Sequence, residues 1–95
     1  MTTTMQYFLL DDVINIGKLT TLKNALQQLI EQQQAVTIDA SKVERIDTAA
    51  LQLLALFVQT LKNNNIHVTW QQPSEPFITM VNLLALHSLL DIHHG

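Results

Sequence analysis

Cysteine is absent from this 95-residue chain, and glycine and proline occur only twice each. Without cysteine the chain can form neither a disulfide framework nor a thiolate zinc site. Charged residues make up 14% of the chain, well below the roughly 25% of an average globular domain, whereas hydrophobic residues make up 47%. This composition excludes a disordered, highly charged tail. It provides a core and leaves few charges for the surface, which favours a protein that works against a partner.

Positive charge is sparse and scattered along the chain. Five Lys and Arg residues stand against eight Asp and Glu residues, which gives a net charge of −3. Nucleic-acid binding requires clustered cations, so we expect neither a nucleic-acid partner nor an electrostatic membrane anchor. The first residues show no secretory signal, and no stretch reaches the ~20 apolar residues of a spanning helix. We therefore expect a soluble, cytoplasmic protein without direct membrane insertion.

The predicted elements follow the order ββαβαβα within a single domain, residues 1–95. Residues 5–10 and 13–16 alternate as strands, and Asp11-Asp12 between them predicts a hairpin turn. The other predicted elements are a helix at 21–33, a strand at 35–40, a connection at 41–46, a helix at 49–62, a strand at 66–70 and a helix from Ser74 to Leu89 or Leu90. Strand–helix–strand units favour parallel pairing, so we expect an α/β fold with a small mixed four-stranded sheet and helices packed against it.

Asp47 and Thr48 stand directly before the long helix and form its predicted elbow. Both residue types are good N-caps, because a side-chain oxygen accepts a hydrogen bond from an unpaired amide of the first turn. The same position would hold a carboxylate and a hydroxyl beside free amides and the positive end of the helix dipole. The residues alone leave two interpretations open, a simple cap and a regulatory or binding elbow.

The long helix carries a second apolar stripe beside its core-facing one. The core-facing residues are Ala50, Leu53, Leu54, Phe57, Val58 and Leu61. The second stripe consists of Ala49, Leu53, Leu56 and Thr60. The core face does not explain Leu56, which is either covered by a neighbouring helix or part of a partner-binding surface. The predicted partner-binding and regulatory residues are Asp47, Thr48, Ala49, Gln52, Leu53, Leu56 and Thr60.

Two polar clusters have metal-binding residue types, and we expect a metal at neither. One surrounds the loop after the central strand: Asp39, Ser41, Glu44 and Asp47. Only Asp39 clearly ends a strand, whereas the Mg²⁺ pocket of a receiver-like domain or Mg-dependent enzyme needs several oxygens on one centre. The other cluster lies near the C-terminus: His87, Asp91, His93 and His94. It lacks the closed ligand set of a zinc site. We expect no metal, no cofactor and no catalytic residue, with the acidic-site domain as the alternative of another class.

Residues 36–51, VTIDASKVERIDTAAL, resemble the central signature of STAS domains, the sulfate-transporter and anti-sigma-factor-antagonist modules. The family pattern is a strand ending in Asp-x-Ser, a short loop, and Asp-Ser/Thr-Ser/Gly/Ala-Gly/Ala-Leu at the start of a helix. Asp39, Ser41 and Asp47 occupy the matching positions here. The element order is similar over nearly the whole chain. The resemblance implies a STAS fold and a bacterial regulatory protein that binds other proteins and catalyses nothing.

Two branches of the family are similar to this chain at the elbow. In anti-sigma-factor antagonists a kinase phosphorylates the second hydroxyl position after the motif Asp, which is Ala49 here, while Thr48 matches the first. In the STAS subunit of a bacterial phospholipid-trafficking ABC transporter, the motif Thr matches Thr48 and the domain docks on the ATPase. The resemblance implies an antagonist-like regulator that docks on an anti-sigma kinase-like or other signalling protein, with the transporter subunit as the alternative. Thr48 and Ser41 are the candidate phosphorylation sites.

Overall fold

The computed structural model describes residues 5–92. Residues 1–4 and 93–95 of the predicted 1–95 domain, which include the His93-His94 pair, lie outside the described residues. The strands are β1 Gln6–Leu9, β2 Val13–Ile14, β3 Val36–Asp39, β4 Arg45–Ile46 and β5 Val68–Gln71. The helices are α1 Leu19–Gln32, α2 Thr48–Asn63, α3 Glu75–Leu83 and α4 His87–Leu90, with a 3-10 turn at Ile16–Lys18 just before α1.

The strands form two parallel sheets, which confirms the α/β class and corrects the predicted single mixed sheet. β1, β3 and β5 make a three-stranded sheet in that order, and β2 pairs with β4 in a separate two-stranded sheet. The strand–helix–strand units β1–α1–β3 and β3–α2–β5 therefore pair in parallel, as predicted. The central strand β3 is buried along its whole length because it has a neighbour on each side.

The predicted hairpin between the first two strands is wrong. Asp11 and Asp12 carry the chain from one sheet to the other, so β1 pairs with β3 and β2 with β4. The carbonyl of Asp12 accepts hydrogen bonds from Glu44 N at 2.7 Å and Arg45 N at 3.1 Å. These bonds turn part of the predicted connection 41–46 into β4. Val43 and Ile46, the apolar residues of this connection, are buried.

The core is built mainly from one face of α2 against the three-stranded sheet and the other helices. The buried residues of α2 are Ala50, Leu51, Leu54, Ala55, Phe57, Val58 and Leu61. The predicted core face is thus confirmed except at Leu53, which is half-buried, and the structure adds Leu51 and Ala55 to it. Helix α2 also contacts α1 and α4. None of the helices in the described part of the chain is long and apolar enough to cross a membrane.

The C-terminal helix, predicted as one continuous element, is two helices. It begins at Ser74 as expected, since Ser74 Oγ accepts a hydrogen bond from Phe77 N at 3.3 Å. It is interrupted at Ala85, whose φ of 56° lies in the left-handed region that ends helices. The second piece, α4, is held by Trp70 Nε1, which donates to Leu90 O at 2.7 Å, and by Gln59 Nε2, which donates to Leu89 O at 2.8 Å.

Candidate functional site

Asp47 occupies the N-cap position of α2, but its side chain does not cap the helix. Its Oδ2 instead accepts a hydrogen bond from Ile16 N at 2.9 Å. The predicted capping role is therefore wrong for Asp47. The carboxylate ties the 3-10 turn ahead of α1 to the start of α2, so it fixes how the two helices begin beside each other.

Thr48 is the first residue of α2, and its side chain is exposed. The first hydrogen bond of the helix runs from Leu51 N to Asp47 O at 3.0 Å, so the amides of the residues before Leu51 precede the helical ladder. Because the carboxylate of Asp47 is turned away from them, these amides and the helix dipole favour a negative group at Thr48. We therefore expect α2 to stay folded when a negative group is placed at Thr48.

Helices α1 and α2 enclose a shallow groove that contains most of the predicted site. It consists of two adjoining depressions of about 380 and 130 Å³. Its α2 wall is formed by Ala49, Gln52, Leu53, Leu56, Phe57 and Thr60. Its α1 wall includes Leu19, Thr20, Lys23, Gln27 and Ile30. We call this surface the α1–α2 groove. The structure thus brings together every predicted residue of the α2 stripe, while Asp47 and Thr48 directly precede its first member.

Leu56 is the most exposed apolar residue of the groove, with 64% of its surface accessible. It lines both depressions together with Leu53, which makes the groove continuous along α2. Helix α1 lies beside Leu56 without covering it. Thr60 turns its hydroxyl back to the helix and donates to Leu56 O at 3.0 Å. Leu53 and Leu56 therefore form an apolar centre in the groove, with exposed polar side chains such as Lys23 and Gln52 around it.

Ser41 lies away from the groove, in a hydrogen-bonded cluster at the carboxyl end of β3. Asp39 Oδ1 accepts a hydrogen bond from Ser41 N at 2.9 Å, and Asp39 Oδ2 accepts one from the Tyr7 hydroxyl. Bonds from the Ser41 hydroxyl, the Tyr7 hydroxyl and the Ser41 amide lower the pKa of Asp39, against the opposing effect of its burial. The two oxygens of Asp39 are thus engaged within the protein. Within residues 5–92, no three His, Asp or Glu side chains converge as a metal-binding group.

Tyr7 provides a direct test of this cluster. Its hydrogen bond to Asp39, with burial and the charge of Asp39, raises the pKa of the phenol. Tyr7 is the only tyrosine in the chain, so the ultraviolet absorbance of phenolate during a pH titration reports on it alone. We expect a midpoint above the usual value of about 10. Because the folded pKa is the higher one, the stability that Tyr7 contributes is fully present below about pH 10 and is lost as pH rises through the folded pKa.

The matched control is Asp39→Asn, which removes the charge and should move the Tyr7 midpoint back towards the usual value. The stability that Asp39 contributes depends on pH in the opposite direction to that of Tyr7. It is present above the usual Asp pKa of about 4 and is lost as pH falls through the lower pKa of the folded state. A wild-type Tyr7 midpoint at or below about 10 would show that the hydrogen bond to Asp39 does not form in solution.

A protein-family model described as "Mlab, STAS domain" matches residues 10–91, which include the elbow, the groove, and Asp39 and Ser41 of the β3 cluster. The chain belongs to the STAS domain family. This confirms the resemblance that the segment from Val36 to Leu51 carries. Within this STAS domain, the Asp-x-Ser part of the signature forms the β3 cluster and its Asp-Thr part forms the elbow.

The STAS domain is also similar to a part of a larger protein whose structure is described as "Crystal Structure Analysis of Mglu". The identity is 26% and the TM-score is 0.62, over 73% of this chain and 17% of the other. The chain therefore spans only a small part of the length of that protein. No curated protein matches this chain.

Proposed function

We propose that this STAS domain is a non-catalytic regulatory module that docks on a partner protein through the α1–α2 groove and the adjoining elbow. One observation carries the proposal: Leu56 stands 64% exposed between two helices, in the middle of an apolar groove. A single exposed leucine is ordinary on a protein surface. An exposed leucine that continues a groove lined by Leu53 and Ile30 is the pattern of a recognition surface.

The energetic argument supports docking at Leu56. Full burial of a leucine side chain stabilises by about 1.5–3 kcal/mol, and most of the surface of Leu56 is still exposed. The hydroxyl of Thr60 already has a partner within α2. A partner that packs on Leu53 and Leu56 would therefore gain apolar contact without breaking the hydrogen bond of Thr60. A few such central residues usually dominate the affinity of an interface.

The proposed partner is an anti-sigma kinase-like or other signalling protein of a bacterial cytoplasm, as for an anti-sigma-factor antagonist. A second candidate is the ATPase of a phospholipid-transport ABC complex, and the elbow favours it. The position that antagonist kinases phosphorylate is the half-buried Ala49, which has no hydroxyl, whereas the exposed Thr48 is shared with the transport form. Both candidates predict the same docking surface and differ in the protein that occupies it.

Site-specific photocrosslinking tests this function. A photoreactive residue at the exposed groove position Gln52 should crosslink one abundant protein in the cells that produce this chain, and mass spectrometry then identifies it as a signalling protein or an ATPase. The same residue at Asn64, which is exposed beyond the groove, is the matched control. Equal crosslinking from both positions, or a Gln52 crosslink that persists in a Leu56→Asp background, would contradict docking at the groove.

Thr48→Glu tests the elbow as a regulatory position. We expect the variant to stay folded, with a gain of about 0.3–1 kcal/mol from the helix dipole. We expect its affinity for the crosslinked partner to fall by more than about tenfold, because the new charge would lose water at the edge of an apolar contact. Thr48→Gln has the same size without the charge and should bind almost normally. Thermal melts and pull-downs measure both effects. Equal binding by wild type and Thr48→Glu would place Thr48 outside the interface.

A further inference from the structure

We infer that the α1–α2 groove selects an amphipathic helix that carries a carboxylate beside its apolar face, and that Lys23 makes this selection. The inference rests on the proposed function, because it names the chemistry of the segment that would occupy the docking surface. Lys23 lies on α1 and lines both depressions, where it meets Leu53 and Leu56. It is the only ionisable residue among those that line the groove.

Lys23 forms no ion pair within residues 5–92. The ion pairs of the described residues join Lys18 to Asp11 and Lys62 to Asp91 and do not include Lys23. Along α1, the positions three and four residues from Lys23 carry no charge. The chain as a whole is negative at −3, so the groove carries the opposite sign to the rest of the molecule. A partner that covered the groove without a carboxylate would partly desolvate an unpaired ammonium group, which is costly.

The backbone of the groove favours a helix over an extended segment. Both walls are α-helices, whose amides and carbonyls are bonded within each helix. The walls therefore offer no row of free backbone groups like a sheet edge, and an extended peptide would lose its own bonds to water without replacement. A helix satisfies its backbone internally. From Ala49 to Thr60 the α2 wall is roughly 16 Å long at 1.5 Å per residue, which matches about three helical turns.

A second copy of this chain is a poor occupant of the same groove. A two-fold contact places the same surface on both sides, so it would enclose two Lys23 charges in one contact to which the groove residues supply no carboxylate. The two copies would also carry like net charges of −3. A separate helical segment with an Asp or Glu near Lys23 avoids both repulsions. The carboxylate would be attracted more strongly there than in open water, because the apolar walls lower the local dielectric.

A displayed library of helical peptides about three turns long tests this inference. The peptides share an apolar stripe and are randomised beside it, and they are selected against wild type and against Lys23→Glu. We expect wild type to enrich Asp and Glu and Lys23→Glu to enrich Lys and Arg. The best acidic peptide should bind Lys23→Glu about three- to tenfold more weakly than wild type, as measured by fluorescence anisotropy.

Lys42→Glu is the matched control, because it makes the same charge change at an exposed residue beside Ser41, away from the groove. It should keep the acidic preference of wild type. Leu56→Asp separates the inference from the proposed function. Peptides that need Leu56 but show no acidic preference would leave the docking groove in place and overturn the role of Lys23. If no peptide distinguishes wild type from Leu56→Asp, both the role of Lys23 and docking at the groove are overturned.

Discussion

Leu54→Ala is expected to lower the free energy of unfolding by about 2–5 kcal/mol. Leu54 is completely buried on the core face of α2, so the shorter side chain leaves a cavity that the surrounding residues fill only in part. A chain of this length is stabilised by only about 5–14 kcal/mol in total. The substitution therefore removes a large part of the stability. Urea unfolding followed by the fluorescence of Trp70, the only tryptophan, measures the loss.

Leu56→Ala is the matched control, since it makes the same chemical change two positions further along the same helix. Its side chain is 64% exposed, so the expected loss is within about 0.5 kcal/mol. The contrast between the two leucines tests the orientation of α2 directly. A loss below about 1 kcal/mol for Leu54→Ala would mean that this face of the helix is not packed as described.

The helical periodicity of α2 predicts most of its buried face, although it does not predict the burial of Leu51 and Ala55. Leu54, Phe57, Val58 and Leu61 recur at the spacing of one helix face, and all are buried. Leu56 fell outside that face, and it is exposed. A regular helix fixes the relative directions of its side chains, so the sequence alone contains this information.

The partner of each strand was harder to predict than the strand itself. Residues 13–16 alternate, but alternation does not indicate which strand lies alongside, and Asp11-Asp12 suits a hairpin turn as well as a crossing between sheets. The true partner of β2 is Arg45–Ile46, which is too short to show any period. The pairing depends on the hydrogen bonds from Glu44 and Arg45 to the carbonyl of Asp12, which are contacts across more than thirty residues.

Of the two walls of the candidate site, the sequence predicts only the one on α2. The α2 wall follows from the stripe of Leu53 and Leu56, whereas Lys23 belongs to an ordinary polar face when α1 is considered alone. Only the packing of α1 against α2 brings Lys23 beside these leucines. The role of Asp47 was missed for the same reason, because its bond to Ile16 N joins residues 31 positions apart and leaves no local pattern.

Leu56→Asp is expected to abolish binding of the crosslinked partner while leaving the domain folded. At an interface centre, the new carboxylate would have to lose its water inside an apolar contact, a cost of several kcal/mol that corresponds to more than about a hundredfold loss of affinity. In the free domain the same carboxylate stays in water, because the position is 64% exposed. We therefore expect an unfolding free energy within about 1 kcal/mol of wild type. Pull-down with the purified partner and urea unfolding measure the two quantities.

Leu83→Asp is the control that separates docking at the groove from a general effect of surface charge. Leu83 is a leucine on α3 that is 73% exposed, and it does not line the α1–α2 groove. The same substitution there adds the same negative charge and removes the same apolar surface. If docking occurs at the groove, Leu83→Asp should bind the partner as wild type does. Equal loss of binding in both variants would show that net charge matters rather than Leu56, and unfolding of Leu56→Asp would show that Leu56 belongs to the core.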